Sequence, residues 1–123
     1  MLKSLLCIGV GGGIGSIFRY LISVFVGRHI PIVFPLGTLL VNISGCFLIG
    51  VFYSLANRYT GFTPEWRLFL ITGICGGFTT FSTYSYDGLA LLKQGANFSF
   101  LLYIIGSVVL GLLATFAGAA IFK

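Results

Sequence analysis

The chain has 123 residues, of which 58% are hydrophobic and 7% charged, with a mean hydropathy of +1.10. Soluble domains carry about 25% charged residues, so a soluble fold is excluded and an all-α integral membrane protein of one domain, residues 1–123, is predicted. Seven Lys/Arg against two acids give a net charge of +5, but the cations are scattered singly, which excludes a clustered nucleic-acid surface and suits helix-end anchors at lipid headgroups.

The first predicted span runs from about Leu2 to Val26. Its start, Met1-Leu2-Lys3-Ser4, leads into an apolar run without a small-residue cleavage site, so it reads as a transmembrane helix and not a removable signal peptide. Gly27, Arg28 and His29 follow, then a proline-bounded stretch to Pro35. The second span covers Leu36 to Leu55, and Ala56 to Pro64 connects it to a third span from Glu65 to Leu92. Lys93 to Asn97 forms a turn before the fourth span, Phe98 to Phe122. Each reaches the roughly 20 residues a bilayer core requires, and four spans place both termini on one side. Lys3, Arg58, Arg67 and Lys123 then share the side of the termini, while Arg28 and Lys93 face the other. Counting arginines and lysines favours cytoplasmic termini by four to two; the counts alone favour a single orientation set by these few charges, and so slight a bias leaves insertion in both orientations open.

The first span carries Gly9, Gly11, Gly12, Gly13 and Gly15, and the fourth carries Gly106, Ser107, Gly111 and Gly118. Gly11 with Gly15, and Gly9 with Gly13, make small-xxx-small pairs that let helices approach closely. A nucleotide-binding loop is excluded, since no strand precedes the run and the GxGxxG spacing is missing. Cys7, Cys46 and Cys75 lie in apolar stretches without metal-ligand spacing and read as small packing residues.

The third span is the unusual one. Gly73, Gly76 and Gly77 are followed by Thr79, Thr80, Ser82, Thr83 and Ser85. Paired glycines weaken a helix, and hydroxyls re-satisfy the backbone groups that a break frees. A break is therefore predicted here, near the bilayer midplane, where it must be buried in protein or line a watery cavity. Unwound carbonyls at such breaks build ion sites. The plainer alternative is a glycine-rich packing face with hydroxyls bonded to their own helix.

Several polar residues inside spans require accounts. Arg19 either faces protein and water or snorkels to an interface. Asn42 offers amide N–H donors to an anion or serves as glue between helices. Asp87 caps or pairs near its segment end. Tyr103 is either a residue of the interfacial aromatic belt or a pore-lining donor. Phe78, Phe81 and Tyr84 recur every three residues; ring edges carry partial positive charge able to hold a small anion without trapping it, and ordinary lipid or core packing is the alternative if no pore passes there. With one histidine, His29, and two acids, Glu65 and Asp87, no acid/base pair or metal cluster is visible, so permeation is expected and not catalysis.

Gly76-Gly77-Phe78-Thr79-Thr80-Phe81-Ser82-Thr83-Tyr84-Ser85 resembles the signature of the Fluc (CrcB) family of fluoride channels. Gly37 to Gly45, around Asn42, and the glycine-rich first helix ending in Phe18-Arg19-Tyr20 are similar to the same family. The resemblance implies a dual-topology homodimer, two copies inserted antiparallel with two fluoride pores. It also implies a structural sodium ion at the dimer centre, held by main-chain carbonyls that map to Gly76 and Thr79. The family's pore-facing aromatic pair falls on Phe81 and Tyr84, its pore asparagine on Asn42, and its hydroxyl track on Ser82 and Thr83. Tyr103 matches a pore position in the fourth segment, and Arg19 joins the anion pathway. The second aromatic is usually Phe, so Tyr84 adds a hydroxyl while keeping the ring edge.

The expected function is passive, fluoride-selective export across the inner (plasma) membrane of a microbial cell, with sodium structural and not transported. The alternatives are a small dimeric multidrug or cation exporter, or a structural membrane assembly protein. Proton-coupled exporters of this size need an embedded carboxylate in an early helix, and the first two spans contain none. An assembly protein explains the glycines, but not Arg19, Asn42 and the hydroxyl-lined break together.

Overall fold

Lipid offers a backbone no hydrogen-bond partners, so a chain this apolar must satisfy its peptide groups within helices. A computed structural model describes Met1–Phe122; Lys123, counted above among the terminal-side charges, lies outside the described residues. The elements are α1 (Leu2–His29), α2 (Leu36–Arg58), α3 (Pro64–Arg67), a π-helical stretch (Leu68–Cys75), α4 (Gly76–Phe78), α5 (Phe81–Lys93) and α6 (Asn97–Ile121). Three of them, α1, α2 and α6, are long and apolar enough to cross a membrane, which makes this a multi-pass membrane protein. The third predicted span is interrupted, and each of its two parts is shorter than the roughly 20 residues of a crossing helix.

Helix ends follow local chemistry. The first helix runs past Val26 to His29 because nothing stops it before Pro31, which pushes Ile30 out of the helical region. Thr63 caps α3 by accepting from Trp66 N, with Pro64 in the first turn where no N–H is needed. At the end of α5, Gly95 takes φ 77. That left-handed residue lets Ala96 N reach Leu91 O and Gly95 N reach Leu92 O, closing the last turn.

Glycines set how the helices pack. A Cβ on Gly11 would lie 2.5 Å from Phe69 O, one on Gly73 would lie 2.9 Å from Gly11 Cα, and one on Gly77 would strike Gly12 O. The first helix therefore crosses Phe69–Phe78 backbone against backbone, as small residues permit. Gly50 and Gly118 do the same where α2 lies along α6, meeting Thr115 to Ala119 and Phe47 to Val51. Of the two predicted pairs in the first helix, only Gly11 and Gly15 pack inward. Gly9 and Gly13, one face away, meet nothing within 4 Å. Lys3 Nζ lies 3.9 Å from Glu65 Oε1, and Arg58 donates to Phe122 O at 3.4 Å. The ends of α1, α2, α3 and α6 that carry these groups therefore meet in pairs.

Candidate functional site: the helix break and its cavity

The interruption falls two residues later than the glycines predict. Gly76 is helical at φ −63, ψ −39, and Gly77 lies within α4. Gly77 is required for its missing Cβ against Gly12, not for flexibility. Thr79 (φ −83, ψ 155) and Thr80 (φ −150, ψ 124) are the extended residues.

Side chains hold that conformation. Asn42 on α2 clamps the Thr80 peptide from both sides: its Nδ2 donates to Thr80 O at 3.1 Å, and its Oδ1 accepts from Thr80 N at 2.9 Å. Thr80 Oγ1 accepts from Thr83 N at 3.2 Å and so caps α5. Thr79 Oγ1 donates back to Cys75 O at 2.9 Å, beside Thr79 N at 3.0 Å.

Two of these bonds take a backbone donor that a continuous helix would give to a carbonyl. Because Thr80 N goes to Asn42, Gly76 O loses its partner one turn on. Because Thr83 N goes to the Thr80 hydroxyl, Thr79 O loses its partner too. Gly77 O is satisfied instead by Arg19 Nε at 3.1 Å and Ser16 Oγ at 3.5 Å. Arg19 thus meets protein through its Nε, as the first of its two predicted alternatives has it.

An open cavity of about 320 Å³ adjoins the break. Asn42, Gly45, Cys46 and Ile49 line it from α2, Thr79, Thr80, Phe81 and Tyr84 from the break and α5, and Ser107 and Val108 from α6. Among the described residues no charged side chain lines it. Asn42 has spent its oxygen and one N–H on Thr80, which leaves one N–H, so it acts as glue while bordering the cavity. Ser107 Oγ is buried without a hydrogen-bond partner. Sequence reasoning took Ser107 as a small packing residue. The available signal was a hydroxyl one helical turn beyond Tyr103.

The predicted residues divide. Asn42, Thr79, Phe81 and Tyr84 come together around the cavity. The rings of Phe81 and Tyr84 are 5.6 Å apart with planes inclined by 50°. Phe78 does not continue their stripe, because the break reorients the chain and leaves it buried against the Gly45 position. The Tyr84 hydroxyl donates to Ile104 O on α6 at 2.9 Å. Tyr103 is wholly buried and does not line this cavity. Its ring meets Phe34 edge-on at 5.5 Å and its hydroxyl donates to Asp87 Oδ2 at 3.4 Å, so it is core and not aromatic belt. Ser82 is exposed with its Oγ 3.4 Å from Thr80 Oγ1, and Thr83 is half-buried; neither borders the cavity. Gly76 is exposed, and a Cβ there would meet only Ile71 O, at 3.8 Å.

Ring edges, hydroxyls, an amide N–H and free carbonyls are dipoles, able to solvate an ion without the full charge that would hold it fast. Among the described residues, no three His, Cys, Asp or Glu side chains gather as a metal cluster. Residues 6–119 match the family described as CrcB-like protein, Camphor Resistance (CrcB). The chain belongs to the CrcB family. A relative from Phocaeicola vulgatus named fluoride-specific ion channel FluC is 54% identical over 117 residues, covering 95% of this chain and 96% of its own. Proteins of the same name are 50% identical in Leptospira interrogans, over 98% of this chain and 95% of theirs, and 45% identical in Rhizobium meliloti, over 99% and 98%. The CrcB match takes in the break and every cavity residue.

Proposed function

We propose that the chain is a fluoride-selective passive channel of the plasma membrane, which lets the membrane potential expel cytoplasmic fluoride. One observation carries the reading: a largely apolar cavity bearing an amide, hydroxyls and ring edges, with no charged side chain among the described residues, opens at a helix break in a CrcB chain whose relatives are named fluoride-specific. One anion moving through 100 mV gains about 2.3 kcal/mol, enough to drive export without a coupled proton. Phe81 and Tyr84 offer ring edges to the ion, and the free Asn42 N–H a donor.

In this reading Pro64–Lys93 is a fourth, broken crossing. Two copies pair antiparallel, and the second covers what one leaves bare: the Phe81 ring, 78% exposed, and the open face at Gly76. The carbonyls of Gly76 and Thr79, freed by the Asn42 clamp and the Thr80 cap, would hold a structural sodium ion, for which main-chain oxygens are fitting ligands. Bound there, sodium supplies a charge that satisfies carbonyls lipid cannot.

Liposomes holding the purified protein test the channel. Fluoride efflux should be rapid and electrogenic, with chloride retained; equal rates for both anions, or dependence on a proton gradient, overturn it. Dual insertion is tested with Gly61→Cys, in the open α2–α3 loop, after replacing the three native cysteines. Both faces of intact membranes should label, and labelling from one face alone refutes antiparallel pairing.

A further inference from the structure

We infer that the Tyr84 hydroxyl is a tether that sets how tightly the cavity discriminates between anions, a positioning role that rests on the channel reading above. Tyr84 lies one turn beyond the extended residues, on a helix whose N-terminal end has no continuous helical connection to α4. Its side chain is buried at 9% exposure, its ring centre 5.2 Å from that of Tyr103 and 5.6 Å from that of Phe81, and it lines the cavity. The hydroxyl spans to α6 and donates to Ile104 O at 2.9 Å. A helical carbonyl has a second lone pair beyond its ladder bond, so the acceptor is available without breaking α6.

The tether fixes two things that packing alone leaves soft. It stops the ring from swinging about its χ angles, and it ties the first turn of α5 to the helix that brings Ser107 and Val108 to the cavity. Elsewhere α5 meets α6 through the Tyr103 hydroxyl on Asp87 Oδ2 at 3.4 Å and through the end of Ile104 and the edge of Phe100 against Gly88, contacts that lie beyond the first turn of α5. With the hydroxyl in place the wall gives little, so a larger anion must break a hydrogen bond to enter. A small one need not.

The test is Tyr84→Phe, nearly isosteric and retaining the ring edge, compared with the unaltered channel in liposomes for fluoride, chloride and nitrate. Loss of one neutral hydrogen bond is worth about a 2- to 10-fold change. The fluoride-to-chloride and fluoride-to-nitrate ratios should fall within that range, mainly through a rise in the larger anions' flux. A variant in which all three fluxes fall together, or none changes, overturns the tether. Tyr84→Met, which fills the space without ring or hydroxyl, separates the two contributions: it should lose fluoride flux as well as selectivity. If the unaltered protein fails to conduct fluoride, the channel reading itself fails, and that outcome is distinct from an unchanged ratio.

Discussion

The two halves of the broken segment are held by different physics. From Phe69 to Phe78 the chain lies against α1 with glycine facing glycine, Gly11 to Gly73 and Gly12 to Gly77, and backbone atoms in contact. From Thr79 onward it is held by directed bonds: Asn42 to Thr80, the Thr80 cap and the Tyr84 hydroxyl on Ile104. Steric fit without side chains gives a rigid platform that cannot be adjusted. Hydrogen bonds give a wall that can be tuned one residue at a time, and the cavity lies on that side. Packed glycine thus fixes where the break occurs in space, and the polar clamp fixes what it presents.

Replacing glycine on the platform gives the largest expected effect. A Cβ at Gly77 would press into Gly12, whose Cα and carbonyl carbon would each lie 3.0 Å away. Backbone cannot rotate aside as a side chain can, so Gly77→Val should exceed the usual overpacking cost of about 1–3 kcal/mol. The expected result is no monodisperse protein on size exclusion in detergent. Gly27→Ala, where nothing lies within 4 Å, should purify normally. Comparable yields for the two variants would mean the crossing is not set by backbone contact.

Asn42→Ala acts on the wall. It removes both bonds to the Thr80 peptide and leaves a half-buried N–H and C=O unpaired, costing about 2 kcal/mol. The thermal midpoint in detergent should drop while the protein still purifies. Asn42→Asp sharpens the result: a carboxylate can still accept from Thr80 N, but it faces Thr80 O and sets a negative charge on the cavity. Stability should partly return and fluoride flux should not. Parallel recovery of both would confine Asn42 to a structural part.

Phe81→Ile probes the exposed ring. An aliphatic chain fills similar space but lacks the positive edge, an interaction of about 1 kcal/mol. Fluoride flux should fall about five-fold. The thermal midpoint should hardly move, because Phe81 is 78% exposed in one chain. Undiminished flux would return the ring to simple packing.

Much of this division was legible in the sequence. Apolar length located α1, α2 and α6 to within a few residues, and hydroxyls after glycines located a break. The break's position was not legible, because glycine signals both flexibility and close approach, and at Gly77 only a partner 65 positions away in the chain, Gly12, decides between them. Periodicity likewise placed Phe78 with Phe81 and Tyr84, since a three-residue repeat assumes the continuous helix that Thr79 and Thr80 interrupt. Tyr103 and Asp87 were each read singly. Their bond joins α5 to α6 and shows only once the helices pack.

Ser107 is the smallest test and the one that sequence reasoning did not single out. Its Oγ has no partner, although a buried hydroxyl ordinarily finds one. It stands on the α6 wall of the cavity. Ser107→Ala removes an unpaired group, so stability should hold or rise slightly, by contrast with Asn42→Ala. If the hydroxyl turns toward a passing anion, removing that single neutral donor should lower fluoride flux about two-fold. Flux from vesicles and the thermal midpoint, measured on the same preparation, separate the possibilities. A fall in midpoint would show that the hydroxyl has a partner after all. An unchanged midpoint with unchanged flux would take Ser107 out of the ion's path and leave the α6 wall apolar.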